Sequence, residues 1–310
     1  MVKRTVLFIL IFSFLAVLPL FMPRFYVYLI SIILLTGLLA TSLNLAIGYC
    51  GIYQFHHAIF YGLGAYGSTL MITKTNVSPF IAFIVGPIVA LLFSLLIGLI
   101  CLRLTKLYFG MLQISLGSLI WAIVYRWYSF TGGDDGIHGI PVPEVFANIK
   151  GSYYFTLIIV SISIFILYRI VNSPFGKTIQ GIRDNPIRTV SIGVNIDVHK
   201  LVVLMIAGFF GGVSGMLFVV VDNAVFPDMM FWTHSLEILI MTLLGGMYTF
   251  WGPFIGAVII VSLRTYLGSV TQYWPMILGI ILIFVIIFLP QGIYGLIEDF
   301  IKGNAHNARS

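Results

Sequence analysis

Residues 79–102 read PFIAFIVGPIVALLFSLLIGLICL, an apolar run without one charged side chain. At 1.5 Å per residue, about 20 such residues in a helix cross the roughly 30 Å hydrocarbon core of a bilayer. The rest of the chain has the same character. Hydrophobic residues make up 60% of its 310 positions, charged residues 8%, and the mean hydropathy is +1.09. An ordinary soluble domain carries about 25% charged residues. The 16 basic and 10 acidic side chains here cannot coat a soluble globule of this length. A soluble enzyme, a nucleic-acid-binding domain and a disordered chain are therefore excluded as classes. The net charge of +6 is loop charge that orients a membrane protein. Cys50 and Cys101 each lie at the end of an apolar run and form neither a disulfide framework nor a metal cluster.

The same criterion places spans at 5–22, 26–47, 52–72, 79–102, 107–128, 153–171, 200–221 and 274–289. A longer stretch, 235–266, is interrupted at Gly245-Gly246 and Gly252-Pro253. The expected fold is an all-α integral membrane protein in a single domain over 1–310, with about eight transmembrane helices plus a broken or re-entrant helix pair. The first span begins with Lys3 and Arg4, but Pro19, Pro23 and Arg24 follow it instead of a small-residue cleavage site. It reads as a retained helix. With both termini in the cytoplasm, eleven Lys and Arg residues fall inside and five (Arg24, Lys74, Arg126, Lys150, Arg264) outside, in line with the positive-inside rule. The loop 129–152 is then outside and 172–199 inside. Residues 235–266 must enter and leave on one side, and their halves, 235–245 and 253–266, are short for two full spans.

Glycine placement is uneven. Gly208/Gly212, Gly211/Gly215 and Gly252/Gly256 have the four-residue spacing that lets helix backbones approach closely in lipid. Gly48 to Gly51 and Gly245-Gly246 to Gly252-Pro253 read instead as helix breaks, which a membrane tolerates only where protein or a cavity surrounds them. Paired breaks in two halves of a chain point to a transporter's solute site, although no clear internal repeat is visible.

The inside loop carries its own signals. Ser173-Pro174 starts a helix, Pro186 stops it near Asn185, and Asn185-Pro186 starts a second short helix that Gly193 ends. In the first helix Phe175, Ile179 and Ile182 form an apolar stripe, flanked by Lys177, Arg183 and Asp184. Left bare, such a stripe costs about 1.5–3 kcal/mol per large side chain, so it needs a cover. The candidates are the membrane surface, the chain's own span ends, or a separate cytoplasmic protein laid against it.

Four ordered segments carry a resemblance. They are LNLAIGYCGIYQFHHAIFYGLGAY (Leu43–Tyr66); TGGDDGIHGIP (Thr131–Pro141); FGKTIQGIRDNP (Phe175–Pro186) followed by SIGVN and GFFGGVSGML; and SLEILIMTLLGGMYTFWGPFIGA (Ser235–Ala257), ending with LPQGIYGL. In this order they make the chain, from about residue 37 to 297, resemble the permease subunits of branched-chain amino acid ABC transporters. The resemblance implies an assembly of two permease chains, identical or related, on two cytoplasmic ATPases, with an extracytoplasmic substrate-binding protein. It also implies that the Phe175–Asn195 loop docks on the ATPase, so that the apolar stripe is seated against that motor protein. The chain has no GxxxxGK[ST] segment, so ATP and Mg belong to the partner ATPase and this chain holds no cofactor. The pattern departs from the family's at Gln54, Phe55 and His56, while His57 keeps the family histidine; Gly181 and Pro186 depart in the docking loop. Related permeases carry urea, short amides or other small polar solutes.

Polar residues in the spans are few. Asn44 and Gln54 flank the Gly48–Gly51 break and are placed to satisfy its freed backbone groups. His56 and His57 are expected near the inner end of the third span, and Gln113 is the one strongly polar side chain over the central turns of the fifth. Asn44, Gln54, His57, Gln113 and Glu237 are the candidate lining of a translocation path; the alternatives are interhelical hydrogen bonding for Gln113, an interfacial ring bonded to a carbonyl for the histidines, and an outer-surface pair with His234 for Glu237. His234 and Glu237, three apart, share a helix face at the outer mouth of the broken stretch. Asp134, Asp135 and His138 read as a turn or docking loop, not a metal site. No catalytic constellation is present: no GxSxG elbow occurs, and no Asp or Glu lies centrally in a span to couple a stand-alone carrier to an ion gradient.

Overall fold

The computed structural model describes residues 2–75, 77–104, 106–273, 276–277, 279–281, 283 and 292–295, with side chains from residue 12 onward except Lys106. In chain order it contains α1 (Val2–Phe21), α2 (Arg24–Asn44) continued by a π-helical turn (Leu45–Tyr49), α3 (Ala58–Lys74), α4 (Pro79–Cys101) and α5 (Lys106–Arg126). The short helices α6 (Tyr128–Thr131) and α7 (Glu144–Ala147) flank β1 (Ile137–His138). Then come α8 (Ile149–Val171), α9 (Pro174–Asp184), α10 (Pro186–Ser191), α11 (Ile196–Asp222), β2 (Ala224–Val225), α12 (Trp232–Gly245) and α13 (Gly252–Val270). Among the described residues, six helices are long and apolar enough to cross a membrane: Arg24–Tyr49, α4, α5 from Leu107, α8, α11 and α13. The expected span 274–289 falls largely outside the described residues.

The expected helices form, with two corrections. The third span does not begin at residue 52: residues 51–57 are non-helical and α3 starts at Ala58. The broken stretch does separate into two helices, but its second arm is longer than expected. Pro253 sits in the first turn of α13, where its missing N–H costs nothing, and the 19 residues of Gly252–Val270 suffice to cross a membrane.

Helices α2 and α11 form the interior, with most of their most apolar windows buried, while α4, α5, α8 and α13 keep one face outward. Lipid is as apolar as leucine, so close backbone approach has to drive this packing. The glycines of α11 supply it on two faces. A Cβ on Gly208 or Gly212 would collide with Ser94 or Ala90 of α4; one on Gly215 would collide with the Tyr61 carbonyl of α3. Gly64 of α3 in turn lies against the Gly212 backbone. The 129–148 loop is clipped to the end of α11 by an antiparallel β1–β2 pair, with Ile137 opposite Val225.

In the loop between α8 and α11 the two short helices keep their expected boundaries, while α11 begins at Ile196, four residues ahead of the expected start at 200. The side chains of Ser173, Asn185 and Asn195 cap α9, α10 and α11 by accepting from the amides of Gly176, Arg188 and Val198. The cover of the apolar stripe is the chain itself. Ile179 and Ile182 are fully buried, where α9 packs on α8, α11 and the π turn. Phe175 stacks on His199 with ring centroids 5.7 Å apart. The stripe's burial therefore needs no second protein. The apolar residues that do stand exposed are on and just after α10: Ile187 at 81%, Val190 at 54% and Ile192 at 76%.

The glycine packing makes a direct prediction. Gly215→Val should lower the thermal midpoint of the detergent-solubilised protein by at least about 5 °C, because overpacking costs 1–3 kcal/mol or more. Gly268→Ala, where a methyl group meets nothing within 4 Å, should leave it unchanged in the same fluorescence melt.

Candidate functional site

The site is built where α2 stops being an α-helix. After Asn44 the chain widens into the π turn, and Gly51 takes a left-handed φ of 72° that glycine tolerates without strain. The Gly51 and Ile52 amides turn back to the carbonyls of Ile47 and Ala46, at 3.1 and 2.9 Å. From there the chain runs non-helical to His57, with Ile52, Gln54, His56 and His57 buried. Backbone amides in such a place need partners, and distant side chains provide them. Gln113 of α5 accepts from the Phe55 amide at 3.1 Å, and Ser235 of α12 accepts from the Ala58 amide at 3.0 Å.

A directed chain of hydrogen bonds holds the two histidines. The Ser42 hydroxyl donates to the Leu39 carbonyl at 2.7 Å, so its oxygen is left to accept from His57 Nε2 at 2.8 Å. His57 Nδ1 then accepts from the Gln54 amide nitrogen at 2.7 Å. These roles assign a neutral imidazole protonated at Nε2. His56 faces two carbonyls, Met230 at 2.9 Å from Nε2 and Ile114 at 3.3 Å from Nδ1. A neutral ring donates to only one, and the shorter contact is the donor bond. Gln54 Oε1 and Gln113 Nε2 are buried and have no hydrogen-bond partner among the described residues. The centre thus offers a spare acceptor and a spare donor, both uncharged, beside a neutral imidazole.

The second break comes to the first. Helix α12 ends at Gly245, Gly246 adopts φ 117°, and the Thr249 hydroxyl caps the amide of Gly252 at the start of α13. The tip of this turn lies against the π turn: Asn44 Nδ2 donates to the Thr249 carbonyl at 3.0 Å, and Gly48 packs on the Met247 carbonyl with no room for a Cβ. Gly48, Gly51, Gly245, Gly246, Gly252 and Pro253 therefore belong to one junction. Asn44 was expected to satisfy the first break and instead satisfies the second; Gln54 serves His57 and not the backbone. The histidines lie in the buried segment ahead of α3, not within a helix near its end. His57 bonds to side chains, and it is His56 that bonds to carbonyls.

Glu237 is not in this centre. Its nearest cation is Arg264 of α13, at 3.1 and 3.3 Å, while His234 Nδ1 stands 3.7 Å away. Tyr61 stacks on the His234 ring, 5.4 Å between centroids. Arg264, Ser42 and Ser235 were missed as partners, since each meets its counterpart far along the chain. In the segment between α5 and α8 Tyr128 donates to Asp135 at 3.0 Å and His138 bonds the Asp135 carbonyl. Among the described residues no cluster of three potential metal ligands occurs. In the α9 region Lys177 and Asp184 are exposed, while Arg183 turns back toward Gly48.

The family model for the branched-chain amino acid transport system permease component matches residues 25–286. The chain belongs to that family. Two curated relatives are similar to this permease along most of its length. Both are named high-affinity branched-chain amino acid transport system permease protein LivM. The one from Escherichia coli K12 is 23% identical, over 92% of this chain and 73% of its own. The one from Salmonella typhimurium LT2 is 24% identical, over 88% and 70%. No solved structure matches the permease.

Gln113→Leu should strand the Phe55 amide and destabilise the permease by about 1–3 kcal/mol, read as a lowered thermal midpoint. Ser115→Ala on the same helix removes only a local bond to the Met111 carbonyl and should leave the midpoint within error.

Proposed function

We propose that this chain is the membrane-spanning permease subunit of an ATP-driven ABC importer in the plasma (inner) membrane, carrying branched-chain amino acids or a similar small polar solute. The observation that carries the reading is the meeting of two helix breaks at one junction, from which the Gly51–His57 segment leads to an uncharged polar centre, in a chain of this family. Broken helices whose freed polar groups face one another are the arrangement that solute sites in transporters use. Gln54 Oε1 and Gln113 Nε2 offer an uncharged acceptor and donor, while both His57 nitrogens are engaged; such groups suit a neutral or zwitterionic solute better than an ion. Urea and short amides fit the same chemistry and are the second reading; uptake competition separates them.

The energy then comes from two cytoplasmic ATPase subunits that hold ATP and Mg. In this reading both chain termini are cytoplasmic, the 172–199 loop faces the ATPase, and 129–152, with Asp134 and Asp135 exposed, meets the substrate-binding protein. A second permease chain completes the path. The buried stripe of Ile179 and Ile182 roots α9 in the spans, and the exposed Ile187, Val190 and Ile192 form the surface on which the ATPase is seated.

Vesicles carrying the permease with its ATPase should take up leucine only when supplied with ATP, and collapse of the proton gradient should not abolish uptake. Ile187→Asp with Ile192→Asp should release the ATPase on co-purification, since buried interface anchors cost 2 kcal/mol or more when lost. A cysteine at position 187 should react with a polar maleimide in ATPase-free vesicles, and one at position 179 should not. ATPase retention by the double variant would place the docking surface elsewhere.

A further inference from the structure

Arg183 sits in the last turn of α9, and its side chain touches both helix breaks. Nη1 donates to the Gly48 carbonyl at 2.6 Å. That carbonyl is available because the Ile52 amide, its partner in a continuing α-helix, returns to Ala46 instead. The guanidinium carbon lies 5.4 Å over the ring of Tyr248, in the turn between α12 and α13. Nε and Nη2 are both 2.8 Å from Asp184 Oδ1, which aims the fork. The stem covers Gly51, where a Cβ would stand 3.0 Å from Arg183 Cγ. Asn44 closes the arrangement from the α2 side through its bond to Thr249.

We infer that Arg183 is a positioning residue that ties the α9 segment to both helix breaks at once, so that displacement of α9 moves the π turn and the Gly246–Trp251 turn together. The inference rests on the importer reading, in which α9 is displaced from the ATPase side. A guanidinium suits the task because its planar donors serve a carboxylate and a carbonyl while its face lies on an aromatic ring. Six residues beyond Gly48 is Gln54, and three further His57, so a pull on the Gly48 carbonyl reaches the buried polar centre through the non-helical segment. Lys177, whose side chain is exposed on the same helix, has no such reach.

The test is the ratio of solute translocated to ATP hydrolysed by the permease–ATPase complex in proteoliposomes. Arg183→Met keeps the stem over Gly51 and removes the fork. It should lower the ratio about tenfold, as loss of a charged hydrogen bond allows, with hydrolysis within about twofold of wild type. Arg183→Lys should recover part of the ratio. Tyr248 is mostly exposed, so Tyr248→Leu leaves the fold intact even if Arg183→Met does not assemble; it should lower the ratio, and Tyr248→Phe should restore it. An unchanged ratio in Tyr248→Leu and in any assembled Arg183→Met overturns this inference alone. Wild-type uptake that proceeds without ATP overturns the importer reading and this inference with it.

Discussion

An amide released from a helix inside a bilayer has no water to turn to, and that requirement organises this permease. Residues 51–57 leave helical geometry between α2 and α3, and side chains from α2, α5 and α12 supply partners to His57, to the Phe55 amide and to the Ala58 amide that follows. The partners from α5 and α12 lie 58 and 177 residues away in sequence, so the unwound segment can exist only when the surrounding helices are assembled. A non-helical stretch at this place is tolerated because protein surrounds it. The same helices, packed through glycine contacts too close for any Cβ, leave a centre that is polar, uncharged and walled by apolar side chains.

The second break repeats the device with different means. Here glycines at 245 and 246 and a threonine cap turn the chain, and the turn is pinned to the first break by Asn44 and by the close contact at Gly48. The two breaks therefore share one junction, from which the Gly51–His57 segment leads into the interior.

Much of the fold was legible in the sequence. Apolar run length gave the spans, and Ser173 and Asn185 marked two helix starts that the structure has; the Asn195 cap, which starts α11 ahead of the expected residue 200, was not read. Glycine and proline marked both breaks. The missing parts depend on which surfaces meet. Periodicity identified the stripe of Phe175, Ile179 and Ile182 but could not say what covers it; the chain's own helix ends do. The exposed patch of Ile187, Val190 and Ile192 was invisible for the same reason, since a six-residue helix has too few turns to show a face. Gln113 was recognised as unusual, yet its partner lies 58 residues away, and Arg264 was counted as loop charge although it pairs with Glu237. Local spacing carries no information about such long-range pairs.

The most direct measurement is hydrogen–deuterium exchange at residues 54–58 in the lipid-reconstituted complex. The resting protein should protect these amides as strongly as the interior of α3, despite their lack of helical bonds, and turnover of ATP should weaken that protection. Exchange at 54–58 as fast as in the 134–148 loop, or protection unchanged under turnover, would contradict the account.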